Sequence, residues 1–373
     1  MQTSDQIPEQ AIAAKPHYAV LDGLRGVAAL IVVAFHILEP HSTSHRDQII
    51  NHGYLAVDFF FLLSGFVIGY AYDDRWQRMT VGQFFRRRLE RLQPMVILGM
   101  VIGAIMFYFQ ANPWMPKIEQ TPVWQMLLVM VIGCTLIPLP PSQDIRGWNE
   151  IHPLNGPGWS LFYEYIANIL YALIGRRLGK KPLVVLVFLS ACALVYTAVF
   201  GENGDVIGGW ELSPSGLRIG FSRMMFPFFA GLLLFRVGKI VLVKNGFLWS
   251  SLLLALVLAF PRIGGEHNLW LNGVYESIAI IVLFPAIVLL GAGGLVQGAS
   301  AKVCKFLGDI SYPIYITHYP FIYTYTAYVA INNRPPMSQA WPYMLLTYVV
   351  SVGVAYAALK LYDEPVRKWL KKR

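Results

Sequence analysis

Four residues in this chain of 373 have the side chains for acid–base chemistry and sit where such groups are expensive: His36, Asp58, Glu164 and His318 each interrupt a long apolar run. Ionisable groups inside apolar spans face a bundle interior or a cavity and are functional candidates by default. His36 shares its run with Arg25, eleven residues earlier. On a helix that spacing is a net turn of only about 20° and a rise of about 16 Å, so the two lie on one face at two depths. The bland readings are a snorkelling anchor for Arg25 and a hydrogen-bonded interfacial histidine for His36. Two polar groups on one buried face favour the functional reading. Asp58 and Glu164 would each lie near the same membrane face as His36, as general acid or base or as the partner of a buried cation; the bland reading is a carboxylate that only orients a neighbour. Ser311, Tyr315 and His318 follow at i, i+4 and i+7, one face again, which makes His318 a competing base. Ser64, in the middle of its run, is a possible nucleophile or contact to a donor group, as is Tyr315.

A second chemistry is written in Phe84–Pro94, FFRRRLERLQP. Arg88 and Arg91 are three residues apart, so on a helix their guanidinium groups converge, a geometry suited to phosphate. The simpler role is a positive anchor at the membrane surface. His41, His45 and His52 add to His36 in a polar loop, but without helical spacing or a motif such as HExxH, so no metal site is expected. Cys134, Cys192 and Cys304 are far apart and form no CxxC.

The elements that must position these groups are membrane helices. Hydrophobic residues make up 56% and charged residues 14%, where a soluble domain is about a quarter charged; this excludes disorder, a coiled coil and an ordinary soluble enzyme. Tyr18–Leu38 contains Arg25 and lacks a small-residue cleavage site, so it is read as a retained first helix and not a signal peptide. Eleven apolar runs are long enough to consider: 18–38, 53–72, 94–110, 123–139, 158–176, 182–200, 221–237, 246–262, 274–292, 306–331 and 341–362. If all cross, the basic loops fall on opposite faces. If 123–139 does not, 22 of the 30 Lys and Arg lie on one face and 6 on the other, with Arg25 and Arg223 inside helices. The positive-inside rule selects the second arrangement. The expected fold is an all-α polytopic membrane protein of ten transmembrane helices with both termini cytoplasmic. The outer segment 111–157 would hold one re-entrant or interfacial piece among its prolines. The net charge of +9 then belongs to membrane orientation, and no nucleic acid partner is expected. No internal repeat is visible, which counts against a transporter. Gly99–Gly103 and Gly175–Gly179 read as close-packing sites.

The motifs resemble one family. LDGLRGVAALIVVAFH (21–36), GYLAVDFFFLLSGFVIG (53–69), RRLERLQP (87–94), GPGWSLFYEY (156–165) and LGDISYPIYITHYP (307–320) are similar, in order, to elements of the acyltransferase-3 family of integral membrane acyltransferases. One departure is Gln93, where members often carry an aromatic residue or His. The resemblance covers about 18–364. It implies an acyltransferase domain there, between a cytoplasmic tail (1–17) and a basic cytoplasmic tail (365–373), without an appended esterase-like domain. It also implies residence in the cell inner (plasma) membrane. The implied reaction is transfer of an acyl group, usually acetyl, from cytoplasmic acyl-CoA to a hydroxyl of a surface or lipid-linked glycan, with membrane lipids as the surroundings and no metal. Arg88 and Arg91 would hold the donor's phosphates, with Arg25 deeper, along its arm or near the thioester, and Ser64 and Tyr315 would contact the donor. His36 would be the base, oriented by Asp58 or Glu164, with His318 as its rival. The alternative is a proton-coupled transporter of a sugar or anionic substrate that uses the same groups as a relay.

Overall fold

The computed structural model describes residues 17–372, so the expected tail at 1–17 lies, but for His17, outside the described residues, as does Arg373. Among the described residues the chain is helical, with only isolated β-bridges. The helices are α1 (Ala19–Leu38), α2 (Ala56–Tyr72), α3 (Val81–Met106), α4 (Val123–Gly133), α5 (Gly158–Leu173), α6 (Lys180–Phe200), α7 (Pro214–Val237), α8 (Gly246–Ala259), α9 (Leu269–Ile278), α10 (Phe284–Ala292), α11 (Gly298–Thr317), α12 (Tyr319–Ile331), α13 (Met337–Ala358) and α14 (Glu364–Leu370). A π-helical turn, Ala279–Leu283, joins α9 to α10. Seven helical units are long and apolar enough to cross a bilayer: those built on α1, α2, α3, α6, α7, α9–α10 and α13. The protein is therefore a multi-pass membrane protein.

Two local features depart from the sequence expectation, and the length of α4 bears on a third. The helix expected over 94–110 begins at Val81, because Thr80 and Gln83 form a capping box: Gln83 N donates to Thr80 Oγ1 at 3.2 Å, and Thr80 N donates to Gln83 Oε1 at 2.9 Å. Pro94 is carried inside that helix and removes only one backbone donor. The run expected as one span over 306–331 is two helices that meet at His318. Pro320 is the cause, since it cannot donate to the carbonyl of Ile316 and its ring crowds that oxygen. The freed carbonyl accepts instead from Asn155 Nδ2 at 2.8 Å. Finally, α4 has 11 residues, about 16 Å of helix, roughly half a hydrocarbon core. Its Val123, Trp124 and Val131 side chains are exposed.

Close backbone approaches fix the interior. α1 packs on α11 where a Cβ on Gly26 would meet the Leu307 carbonyl at 2.4 Å, and α2 packs on α7 where a Cβ on Gly65 would meet the Phe228 carbonyl at 1.9 Å. Of the expected packing glycines, Gly103 lies against the Leu154 carbonyl, which seats the loop before α5 on α3. Polar contacts tie helix ends together in two sets. Arg236 near the end of α7 bonds Asp73, just after α2, and the carbonyls of Gly175 and Leu178, just after α5. His52, before α2, bonds the Phe260 carbonyl after α8 at 2.7 Å and Asn272 of α9 at 3.0 Å.

Candidate active site

His36 lies in the last turn of α1, just before its C-cap, Glu39. The chain leaves the helix at Glu39–Pro40, and the short 3-10 turn there folds Glu39 back one turn. His36 Nδ1 lies 2.9 Å from Glu39 Oε2. A carboxylate only accepts, so Nδ1 carries the hydrogen, which leaves the lone pair of a neutral ring on Nε2. That is the tautomer a general base needs, held by a carboxylate as in catalytic triads. The imidazole is partly open, at 19%.

His36 lines a cavity of about 400 Å³. Trp114, Trp148, Trp159 and Trp210 supply aromatic faces, and Tyr315, Tyr319 and Tyr323 add rings. The volume is that of a small-ligand site, and its mix of flat apolar faces with few polar groups suits orienting a ligand. Tyr319 stands edge-on to His36 at 4.8 Å between centroids. His318 stacks on His36 at 5.7 Å but is fully buried. His318 Nδ1 donates to the Ile314 carbonyl at 2.8 Å, and Nε2 has no partner among the described residues. His318 sits at the junction of α11 and α12, just before Pro320. Tyr315 belongs to the same cavity wall, and its hydroxyl pairs with Ser160 Oγ at 2.6 Å.

Three further charged groups border the cavity; one, Arg334, lies over the Trp114 ring at 4.9 Å. Arg223 of α7 is fully buried. Its Nη2 donates to Asp58 Oδ2 at 2.7 Å and to the Tyr54 carbonyl at 2.7 Å, and its Nη1 donates to the Gly208 carbonyl at 3.2 Å. Asp58 is thus the counter-ion of Arg223, and the carboxylate on His36 is Glu39; the expected orientation of His36 by Asp58 or Glu164 gives way to this geometry. A buried pair of this kind leaves an uncompensated charge if either partner is removed. Glu150, from the loop before α5, is 8% exposed and accepts from the Tyr323 hydroxyl at 2.6 Å. Burial pushes its carboxyl up to about 7, against the pull of the Arg146 charge and the Tyr323 hydrogen bond. Arg146 lies over the Tyr323 ring at 3.6 Å.

The other group of expected residues gathers around Glu164. Arg88 Nη2 donates to Glu164 Oε1 at 2.6 Å, and Ser64 Oγ donates to the same oxygen at 3.1 Å. Arg88 is buried, with Nε lacking a partner among the described residues, whereas Arg91 is exposed. Arg91 lies within electrostatic reach of Arg25, Arg88, Glu164 and Asp22. Arg25 itself donates to Asp22 at 3.3 Å. Gln93 bridges α5 and α4, accepting from the Tyr165 hydroxyl at 2.9 Å and donating to the Cys134 carbonyl. So the structure brings together Ser64, Glu164 and Arg88 near Arg91 and Arg25, and separately His36, His318 and Tyr315. Glu39, Arg223 and Glu150 complete the second group. The i, i+3 spacing of His36 and Glu39 before a proline was the signal available for one of them. Among the described residues no three His, Cys, Asp or Glu side chains gather to hold a metal ion; His41, for example, is turned to the Tyr325 hydroxyl at 2.6 Å.

Comparison with known proteins places the chain in a family. Protein 2 in the picA locus of Rhizobium radiobacter is 33% identical over 192 residues, which is 48% of this chain and 94% of that protein. Acyltransferase MdmB of Streptomyces mycarofaciens is 26% identical, covering 81% of this chain and 78% of its own length. O-acetyltransferase OatA of Staphylococcus aureus is 24% identical over 93% of this chain, which spans only 57% of OatA. No solved structure matches the fold. Residues 18–360, which carry both polar groups and every helix from α1 to α13, match the acyltransferase domain of Acyl_transf_3, and the chain belongs to that family of acyltransferases.

Proposed function

We propose that the protein is a membrane O-acyltransferase that moves an acyl group, acetyl by the likeness to OatA, from acyl-CoA to a hydroxyl of a surface or lipid-linked glycan. The observation that carries this reading is the His36–Glu39 pair in a tryptophan-lined cavity. Aromatic faces stack on sugar rings while a fixed base waits for a hydroxyl proton. In the proposed step the acceptor O–H proton passes to His36 Nε2 and the oxygen bonds to the acyl carbon. The C–S bond then breaks, and the leaving thiolate takes the proton. Glu39 stabilises the imidazolium in between. Arg25, Arg88 and Arg91 form the cationic cluster for the donor's phosphates, with Ser64 and Glu164 holding Arg88 in place. Tyr315 and His318 position the ring of His36 and the acceptor, and Asp58 fixes Arg223 in the cavity wall.

The same reading takes ten spans in the inner (plasma) membrane, with both termini cytoplasmic and α4 as the non-crossing piece. The two sets of tied helix ends support it: the ends of α2, α5 and α7 belong to one face, and the start of α2, the end of α8 and α9 to the other. Cysteines at the exposed Glu202 and Glu266 should react with an impermeant reagent from outside, and one at the exposed Lys180 should not. Gly204 is unsuitable for this, because a Cβ there would meet the Leu269 carbonyl at 2.1 Å. Labelling at Lys180 from outside would overturn the arrangement.

The test of function is mass spectrometry of surface glycans from cells with the gene, without it, and with His36→Gln. Ester-linked acyl groups should be present only in the first. Glycans unchanged across all three would end the proposal.

A further inference from the structure

Beside the His36 cavity lies a second, more open hollow of about 670 Å³. His45 and Ile207 line both, so the two share a wall. Their linings differ. The first is rich in Trp, Tyr and Phe, whereas the second has no aromatic ring but His45 and is otherwise built from charged and polar side chains, Ile207 and Gly265.

Its hydrogen-bonding groups are unevenly used. Asp47 accepts from the backbone N–H and hydroxyl of both Thr43 and Ser44, at 2.7 to 3.2 Å, which folds the 43–47 loop into a fixed wall. Asp205 accepts from Ile207 N at 3.2 Å and from Arg262 Nη2 at 3.0 Å. Both acids are therefore occupied. The Arg262 side chain is only 7% exposed, and Nη2 also donates to the Asn203 carbonyl at 2.6 Å, yet Nε and Nη1 have no partner among the described residues. Buried guanidinium donors without acceptors are costly, and they call for oxygens brought from outside the protein. Arg46 and Glu266 stand exposed on the same lining and offer a donor and an acceptor. With Asp47, Asp205 and Glu266 interleaved with Arg46 and Arg262, no single sign dominates the hollow. That disfavours a phosphate or a strongly charged group. It suits hydroxyls, which accept from the arginines and donate to Glu266.

We propose that this hollow is a second saccharide subsite, which holds the sugar unit next to the one being acylated, so that the acceptor is an oligosaccharide or polysaccharide chain. The proposal rests on the sugar-acceptor reading above and adds to it where the chain runs. The acylated unit lies among the tryptophans at His36. The neighbouring unit crosses the wall at His45 and Ile207 and is read by Arg46, Arg262 and Glu266.

The experiment uses the purified full-length protein, radiolabelled acetyl-CoA, and oligosaccharides from partial acid hydrolysis of the host's own surface polysaccharide, fractionated by size. Label incorporated per reducing end should rise about tenfold from the single-sugar to the three-sugar fraction, the effect of one or two added hydrogen bonds. Arg46→Ala and Arg262→Gln should each shrink that ratio; Arg46 is exposed, so its variant keeps the test valid even if Arg262→Gln fails to fold. Equal incorporation in the two fractions, or a ratio that neither variant changes, overturns the subsite while leaving the sugar acceptor standing. Label in no fraction overturns the sugar acceptor and the subsite with it.

Discussion

Arg25 and His36 share one face of α1 about 16 Å apart, yet their surroundings differ in kind. Around Arg25 the neighbours are charges: Asp22 accepts from it, and Arg91, itself within reach of Arg88 and Glu164, lies close by. Around His36 they are rings, with one carboxylate in the next turn. On the proposed function the contrast separates two tasks, donor capture and proton transfer. A cluster of guanidinium groups recognises an anion by charge and by many donors, and it tolerates small shifts of position. Proton transfer tolerates little, since the base must present one lone pair in one direction. The aromatic wall and the Glu39 contact supply that direction. Mutations at the His36 end should therefore act on rate, and mutations at the Arg25 end on donor affinity.

The sharpest way to break the contrast is His36→Gln. Loss of a general base costs roughly 10²- to 10⁴-fold in rate, and acyl-CoA affinity should stay at the wild-type value. Glu39→Gln should give a smaller loss in kcat, because the amide can still accept from Nδ1–H but does not neutralise the imidazolium. Both are read from transfer kinetics and donor binding on purified variants. A fall in donor affinity with either variant would merge the two ends into one site.

The second test works from the other end. Arg91→Ala and Arg88→Ala should each weaken acyl-CoA binding by about tenfold or somewhat more, the range expected for hydrogen bonds to a charged group. Arg91→Lys should recover part of the loss, because the charge returns without the planar fork. Arg88→Ala should also lower thermal stability, since Glu164 loses its 2.6 Å partner; the exposed Arg91 should not. Equal destabilisation by both would contradict the division between a buried anchor and an exposed contact.

Glu150 offers a third test, on the cavity side alone. Its carboxyl titrates at about 7 in the folded protein against an ordinary 4.5. Between those values the folded state holds a proton that the unfolded chain has released. The stabilisation from this group is complete below about 4.5 and lost as pH rises through about 7, at up to about 1.4 kcal/mol per pH unit. Thermal unfolding in detergent from pH 5 to pH 8 should show Glu150→Gln losing less stability than the wild type. Parallel curves would mean that another group titrates there.

Much of this was legible in the sequence because membrane helices announce themselves by length and apolarity, and because a buried ionisable residue stands out against them. The spacing of Arg25 and His36 and the Arg88–Arg91 pair follow from such local rules, and the oddness of 123–139 from the distribution of Lys and Arg along the whole chain. What sequence could not give was partnership across helices. Asp58 and Glu164 look alike in their runs, yet one is matched to Arg223, 165 residues away, and the other to Arg88. Glu150 lies in a loop with no periodicity, and its place in the cavity depends on where Tyr323 and Arg146 arrive. The break at His318 was half legible: Pro320 marks it, but nothing local says that Asn155 will cap the freed carbonyl.

That cap supplies the smallest and most specific prediction. Asn155 Nδ2 donates to the Ile316 carbonyl, the one backbone acceptor that Pro320 strips of its helical partner two residues before His318. Asn155→Ala leaves this buried oxygen unsatisfied, at a cost of roughly 1–3 kcal/mol. Any relaxation of the break moves His318 relative to His36, whose rings now stack at 5.7 Å. The variant should thus lose modest thermal stability and a few-fold in kcat, with donor affinity unchanged, because the Arg25 end has no share in this contact. Asn155→Asp separates packing from hydrogen bonding. It keeps the shape but places a carboxylate against a carbonyl, so it should lose at least as much as Ala. An aspartate variant that behaves as the wild type would show that the Asn155 bond does not hold the break, and that the position of His318 is set by the packing of α1 on α11 alone.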